Sequence, residues 1–85
     1  MAYSIQFKPQ ALRQLEKLPR DAQKRLAAKI EALCDDTFPP GCKKMEGLDD
    51  AWRIRAGDYR MVYRVHRGVL LILVLTVGHR KDVYR

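Results

Sequence analysis

The chain has no apolar run long enough to cross a membrane. Its longest runs from Val69 to Leu75, far short of the ~20 residues a spanning helix needs. It opens Met1-Ala2-Tyr3-Ser4, without the basic stretch and apolar segment of a secretory signal, so a cytoplasmic location is expected. Glycine (5) and proline (4) are too few for a linker or a low-complexity chain. Cysteine is scarce too. Cys34 and Cys42, taken with His66 and His79, reach the ligand count of a zinc site. Their spacings, C-x7-C and H-x12-H, match no common finger or ribbon. The reading is therefore no metal site, no cofactor and two ordinary reduced thiols.

What is present is a short, basic, foldable chain. Its 85 residues form one domain, 1–85, and a chain of this size buries only about 60% of its unfolded surface. A hydrophobic content of 47% excludes a disordered chain. Seventeen Lys and Arg against ten Asp and Glu leave a net charge of +7, and the excess is uneven. Residues 1–51 carry nine basic and eight acidic side chains; residues 52–85 carry eight basic and two acidic, and seven of those eight bases are Arg. A guanidinium grips phosphate through a planar fork where an ammonium offers a point charge. An arginine-rich half points to a polyanion, most simply nucleic acid.

The periodicity predicts the elements. Tyr3-Ser4-Ile5-Gln6-Phe7 alternates as a half-buried strand does. Pro9 suits a first helical turn, and Ala11, Leu12, Leu15 and Leu18 fall on one face before Pro19 ends the helix. A second helix is expected from about Arg20 to Cys34, with Ala22, Leu26, Ile30 and Leu33 as its buried stripe. The segment from Asp35 to Gly47 reads as a loop around Pro39-Pro40-Gly41, with Lys43-Lys44-Met45 as a short strand. Strands follow on either side of a Gly57-Asp58 turn, and a last one runs from Val69 to Val77 after a turn at Arg67-Gly68. The order is β-α-α-β-β-β, an α+β domain whose antiparallel sheet carries a helical hairpin on one face.

The hairpin separates two kinds of surface. A two-residue loop at Gly57-Asp58 sets Arg55 opposite Arg60 and Ile54 opposite Met61. One face then holds Trp52, Ile54, Ala56, Tyr59, Met61, Tyr63 and Val65; the other holds Arg53, Arg55, Arg60 and Arg64. Like charges directly opposite on a sheet cost up to roughly 1 kcal/mol, and Asp58, in the turn, is not placed to neutralise them. Guanidiniums gathered without acids make a phosphate site, and Lys43, Lys44, Arg64 and Lys81 extend it as RNA contacts. The last strand is apolar on both faces, whereas one helical layer covers only one. Leu71, Leu73 and Leu75 are expected on the arginine face as a partner's docking surface. Beyond the strand, His79, Arg80 and Tyr84 bring an imidazole, a guanidinium and a phenol to the sheet end. Imidazole is the side chain whose ordinary pKa lies near neutrality, and a tyrosine ring can stack on a base.

The strings Trp52-Arg53-Ile54-Arg55-Ala56-Gly57-Asp58-Tyr59-Arg60-Met61-Val62-Tyr63 and Val77-Gly78-His79-Arg80-Lys81-Asp82-Val83-Tyr84 resemble the RelE/ParE superfamily of toxins from bacterial and archaeal toxin–antitoxin modules. The Leu18-Pro19 junction and Lys44-Met45-Glu46-Gly47-Leu48 are similar too, so the likeness spans nearly the whole chain. It implies the same β-α-α-β-β-β layout. For RelE-type members it implies a ribosome-dependent endoribonuclease that cuts mRNA in the A site and is held by a cognate antitoxin. It carries the catalytic positions onto Arg53, Arg55, Arg60, Arg80 and Tyr84. Some members have Lys in the first two of these slots; here both are Arg, which stays protonated and serves poorly as a base. That leaves His79 as the candidate base. The chemistry implied is attack by the ribose 2′-hydroxyl, without a metal. Two other readings of the basic face stand beside it: a ParE-type toxin directed at DNA gyrase, and a nucleic-acid-binding module without catalysis.

Overall fold

The computed structural model describes residues 3–79. Its elements are β1 (Ser4–Phe7), α1 (Pro9–Glu16), α2 (Arg20–Leu33), β2 (Lys43–Lys44), β3 (Ala51–Ala56), β4 (Tyr59–His66), a 3-10 turn (Arg67–Val69) and β5 (Leu71–His79). Arg80, Lys81 and Tyr84 lie outside the described residues. Among these residues no helix is long and apolar enough to cross a membrane.

Local chemistry sets the helices. Pro9 occupies the start of α1, where a missing N–H costs nothing. Pro19 caps α2, whose first turn carries Asp21, a favourable charge near the positive end of the helix dipole. The junction is closed by Gln23, whose Nε2 donates to the Leu18 carbonyl at 2.8 Å and the Glu16 carbonyl at 3.2 Å. These are carbonyls that the end of α1 would otherwise leave unpaired. Ala22, Leu26, Ile30 and Leu33 are buried, the stripe expected from their spacing. In α1 the outcome differs from expectation. Ala11 is buried but Leu12 is 46% exposed, because a helix of eight residues turns only one narrow stripe to the sheet.

The sheet has five strands in the order β1-β5-β4-β3-β2. It is mixed rather than wholly antiparallel: β1 runs parallel to β5, with Ser4 beside Leu71 and Phe7 beside Val74. The helical hairpin supplies the long crossover that a parallel pair needs. The β3–β4 register is the one set by a two-residue loop, from Ala56 opposite Tyr59 to Trp52 opposite Tyr63. Ile54, Ala56, Met61, Tyr63 and Val65 join Leu26, Ile30 and Leu33 of α2 in one core, with Trp52 and Tyr59 packed at its margin.

β5 departs from its expected bounds. It starts at Leu71 because Val69 belongs to the 3-10 turn and Leu70 takes a left-handed conformation, φ 50°. Lying between β1 and β4, it is a central strand, which accounts for its unbroken apolar run. It also carries a bulge. Val62 pairs with Thr76 but Tyr63 pairs with Val74, so Leu75 is the extra residue. Ile72, Val74 and Val77 are fully buried. Leu71, Leu73 and Leu75 are half-buried, and the register places Leu71 and Leu73 opposite His66 and Arg64. Among the described residues the most exposed large apolar side chain is instead Val69, at 72%.

The 35–42 loop is tied down by Tyr63. Its ring is fully buried and its hydroxyl donates to the Thr37 carbonyl at 2.8 Å. Phe38 packs on Trp52 with ring centroids 4.5 Å apart, and the Arg67 guanidinium lies over Phe38 at 5.2 Å. Burial, reinforced by the neighbouring Cys42 thiol, pushes the Tyr63 phenol well above the ordinary tyrosine range. An unfolded tyrosine ionises near pH 10, so this group's stabilisation is whole below about pH 10 and is lost as pH rises beyond it. Tyr63→Phe should destabilise the fold by about 1–2 kcal/mol at neutral pH, the cost of orphaning a buried carbonyl. The gap from wild type should close above about pH 10. Urea midpoints for both proteins across pH 7–11 would check this, and a gap that stays constant to pH 11 would contradict it.

Candidate functional site

The Gly57-Asp58 turn fixes the site. Gly57 has φ +63°, a left-handed conformation that glycine adopts without strain. It occupies the first central position of a two-residue hairpin, where such a φ matches the strand twist. Arg55 and Arg60 form the second pair from the turn. In a two-residue hairpin the pair flanking the turn is hydrogen-bonded. The next pair is then the closer kind, with Cα atoms about 4.5 Å apart.

A third strand widens the site. Lys43 of β2 pairs with Arg53 of β3, so its side chain joins the same face. Lys43, Arg53, Arg55 and Arg60, with Gly41 and Ile54, line a cleft of about 300 Å³. No acid is among them. The loop anchored by Tyr63 delivers both Gly41 and Lys43, so a buried phenol at the core positions one wall of a basic cleft.

The other expected residues fall in different places. Lys44 pairs with Trp52 and so faces the opposite side of the sheet from the cleft. Arg64 shares the arginine face but lies four residues along β4 from Arg60, about 13 Å at strand rise. That is too far to share one phosphate. Its Nε is buried and has no hydrogen-bond partner among the described residues.

His79 does not join the cleft. It pairs with Tyr59, packing edge-on against that ring with centroids 5.8 Å apart, on the helix side of the sheet. The bulge is the reason. Strict alternation from Leu71 would put residue 79 on the arginine face; the extra residue at Leu75 shifts the phase. Gly78 takes the place opposite Arg60 instead, so β5 contributes no side chain of its own at that pair.

Gln14 is a supporting residue that pattern reading missed. Its Oε1 accepts from the Val77 N–H at 2.8 Å and from the Thr76 hydroxyl at 2.9 Å. β1 pairs with β5 only as far as Val74, so this side chain satisfies the edge of β5 beyond that point. It steadies the stretch leading to His79. A glutamine within an amphipathic helix carries no sequence signal for such a role.

The ParE toxin model of type II toxin–antitoxin systems matches residues 5–84. Toxin RelG of Mycobacterium tuberculosis is 35% identical over 89 residues, covering 100% of this chain and 99% of that protein. The mRNA interferase toxin RelE of Escherichia coli K12 is 30% identical over 88 residues, covering 99% and 92%. Among solved structures, the archaeal RelE–RelB complex of Pyrococcus horikoshii superposes with a TM-score of 0.84 at 28% identity, covering 96% of this chain and 99% of that one.

The opposed arginines make a stability prediction. Arg55→Glu replaces a like-charge cross-strand pair with an attractive one. The fold should gain about 1 kcal/mol, read as a raised urea midpoint with unchanged slope. An unchanged midpoint would mean that the two guanidiniums splay apart without mutual cost.

Proposed function

The chain belongs to the ParE toxin family of type II toxin–antitoxin systems, and we infer that it is an endoribonuclease that cuts mRNA in the ribosomal A site and halts translation. The observation that carries this reading is the cleft of Arg53, Arg55, Arg60 and Lys43, with no acid among its described lining residues. It fits the charge of a phosphate in transit. Relatives bearing the name mRNA interferase support it. Gyrase-directed toxins share the family's fold, and a supercoiling assay with purified protein separates the two activities.

The chemistry needs little from the protein beyond placement and charge. The ribose 2′-oxygen attacks the adjacent phosphorus, the O2′–P bond forms, and the P–O5′ bond breaks. The products are a 2′,3′-cyclic phosphate and a 5′-hydroxyl. Holding the three atoms in line supplies much of the acceleration. Arg53, Arg55 and Arg60 stabilise the extra negative charge of the phosphorane. Arg80 is assigned to the leaving 5′-oxygen and Tyr84 to an unstacked base. With His79 behind the sheet, a direct proton path from the cleft to its imidazole is blocked. The 2′-hydroxyl proton then leaves to solvent, the 5′-oxygen takes one from solvent, and electrostatic stabilisation carries most of the effect.

The cognate antitoxin is assigned to the same sheet face. Leu71 and Leu73 adjoin Arg64, so the surface invites a segment that is apolar along one stripe and acidic beside it. Such a segment hides the cleft and restores growth by occlusion.

Arg60→Ala should lower single-turnover cleavage of programmed ribosomes by at least about 100-fold, the scale of one lost transition-state donor. Products ending in a 3′-hydroxyl and a 5′-phosphate would refute the 2′-hydroxyl route. Leu73→Asp should weaken antitoxin binding by more than about 2 kcal/mol, a hot-spot loss, in a variant whose melting shows it folded. A complex with the antitoxin on the helices alone would refute that assignment.

A further inference from the structure

The helix side of the same sheet end carries a group of side chains that the cleft chemistry does not use. Tyr59 and His79 stand opposite each other as the last pair of β4 and β5. Their rings meet edge-on, at 82° between planes. In such a pair one ring presents its edge to the face of the other. Both residues are half-buried rather than enclosed.

Arg25 reaches this end from α2. Its Nη1 lies 3.1 Å from where a Cβ on Gly57 would stand. The bare glycine at the hairpin tip is thus a seat for a guanidinium from the opposite layer. Arg25 is exposed. An exposed cation seated at the hairpin tip, at the same sheet end as two aromatic rings, has the composition of a single-nucleotide contact. The ring takes a base and the guanidinium takes a phosphate.

We propose that Arg25, Tyr59 and His79 form a second RNA contact, in which single-stranded RNA rounds the Gly57 turn from the arginine cleft to the helix side. The proposal rests on the nuclease reading. Tyr59 is one residue from Arg60 and Gly57 two from Arg55, so the two contacts sit back to back across the thickness of one sheet. A strand that bends round the hairpin tip would meet the two in turn. The cleft positions the scissile phosphate; the second contact sets the path of the neighbouring nucleotide and hence the affinity for the RNA.

Arg25→Glu, an exposed change, tests this without touching the core. The toxin concentration for half-maximal cleavage of programmed ribosomes should rise about tenfold, and Arg25→Lys should recover most of the loss. The slope of log affinity against log salt should become shallower by roughly 0.7 for each phosphate contact removed from a single strand. The single-turnover rate at saturation should move far less than the half-saturating concentration. A photo-cross-linker at position 25 should capture RNA, and probing the adduct tells mRNA from ribosomal RNA as the source of the phosphate. Wild-type half-saturation and salt slope in Arg25→Glu, while Arg60→Ala is inactive, would overturn this contact and leave the nuclease reading standing. Wild-type cleavage by Arg60→Ala would overturn the nuclease reading instead, and the cross-link would still decide whether RNA passes over Arg25.

Discussion

Everything functional in this fold depends on the register of one hairpin. The Gly57-Asp58 turn has two residues, and Gly57 accepts the φ of +63° that the turn requires. A slip of one residue would send the core side chains to water and the arginines inward. The energies show which side wins. Ile54, Met61, Tyr63 and Val65 are each at most 3% exposed. At roughly 1.5–3 kcal/mol per large apolar side chain, their burial is worth on the order of 10 kcal/mol. The opposed guanidiniums of Arg55 and Arg60 resist with at most about 1 kcal/mol. The core therefore imposes a charge arrangement that the surface alone would not choose. Paying a small stability cost for a preorganised site is a common pattern in functional surfaces.

The second wall of the cleft is held from inside. Lys43 and Gly41 belong to a loop that would be free to wander were it not fastened at Thr37 by the Tyr63 hydroxyl and at Phe38 by the Trp52 ring. Both anchors come from the core face of the hairpin, and the arginines come from the other face of the same strands. One pair of strands thus positions both walls, and the strands cannot move apart without unpacking the core.

What could be read from the residues was local. The Arg55–Arg60 pairing follows from one turn and a period of two, and the α2 stripe from a period of 3.6. Both arise between neighbours in the chain. The parallel pairing of β1 with β5 joins residues more than sixty positions apart, and nothing in Tyr3 to Phe7 encodes the direction of its partner. The bulge at Leu75 was equally silent, since Leu73-Val74-Leu75-Thr76-Val77 has no glycine to mark it. That one residue decides on which side His79 stands. Counting by twos along β5 was sound as far as Val74 and inverted beyond it. Arg80, Lys81 and Tyr84 lie outside the described residues, so the roles given to them rest on the sequence and, for Arg80 and Tyr84, on the family likeness.

The bulge and the glycine opposite Arg60 have a joint consequence for binding. With His79 turned to the helix side and Gly78 opposite Arg60, β5 adds no side chain of its own at that pair. The positive field of the arginine face meets whatever anion arrives. A phosphate and an acidic antitoxin segment would relieve the same Arg55–Arg60 repulsion, so each gains from a strain that the free toxin already bears. On the proposed reading the two ligands would compete for the same arginine face, and the apolar stripe of Leu71 and Leu73 would favour the ligand that brings its own apolar side chains. RNA has none to offer at that position. On that reading, selectivity for the antitoxin would come from burial along β5, and attraction for either ligand from the arginines.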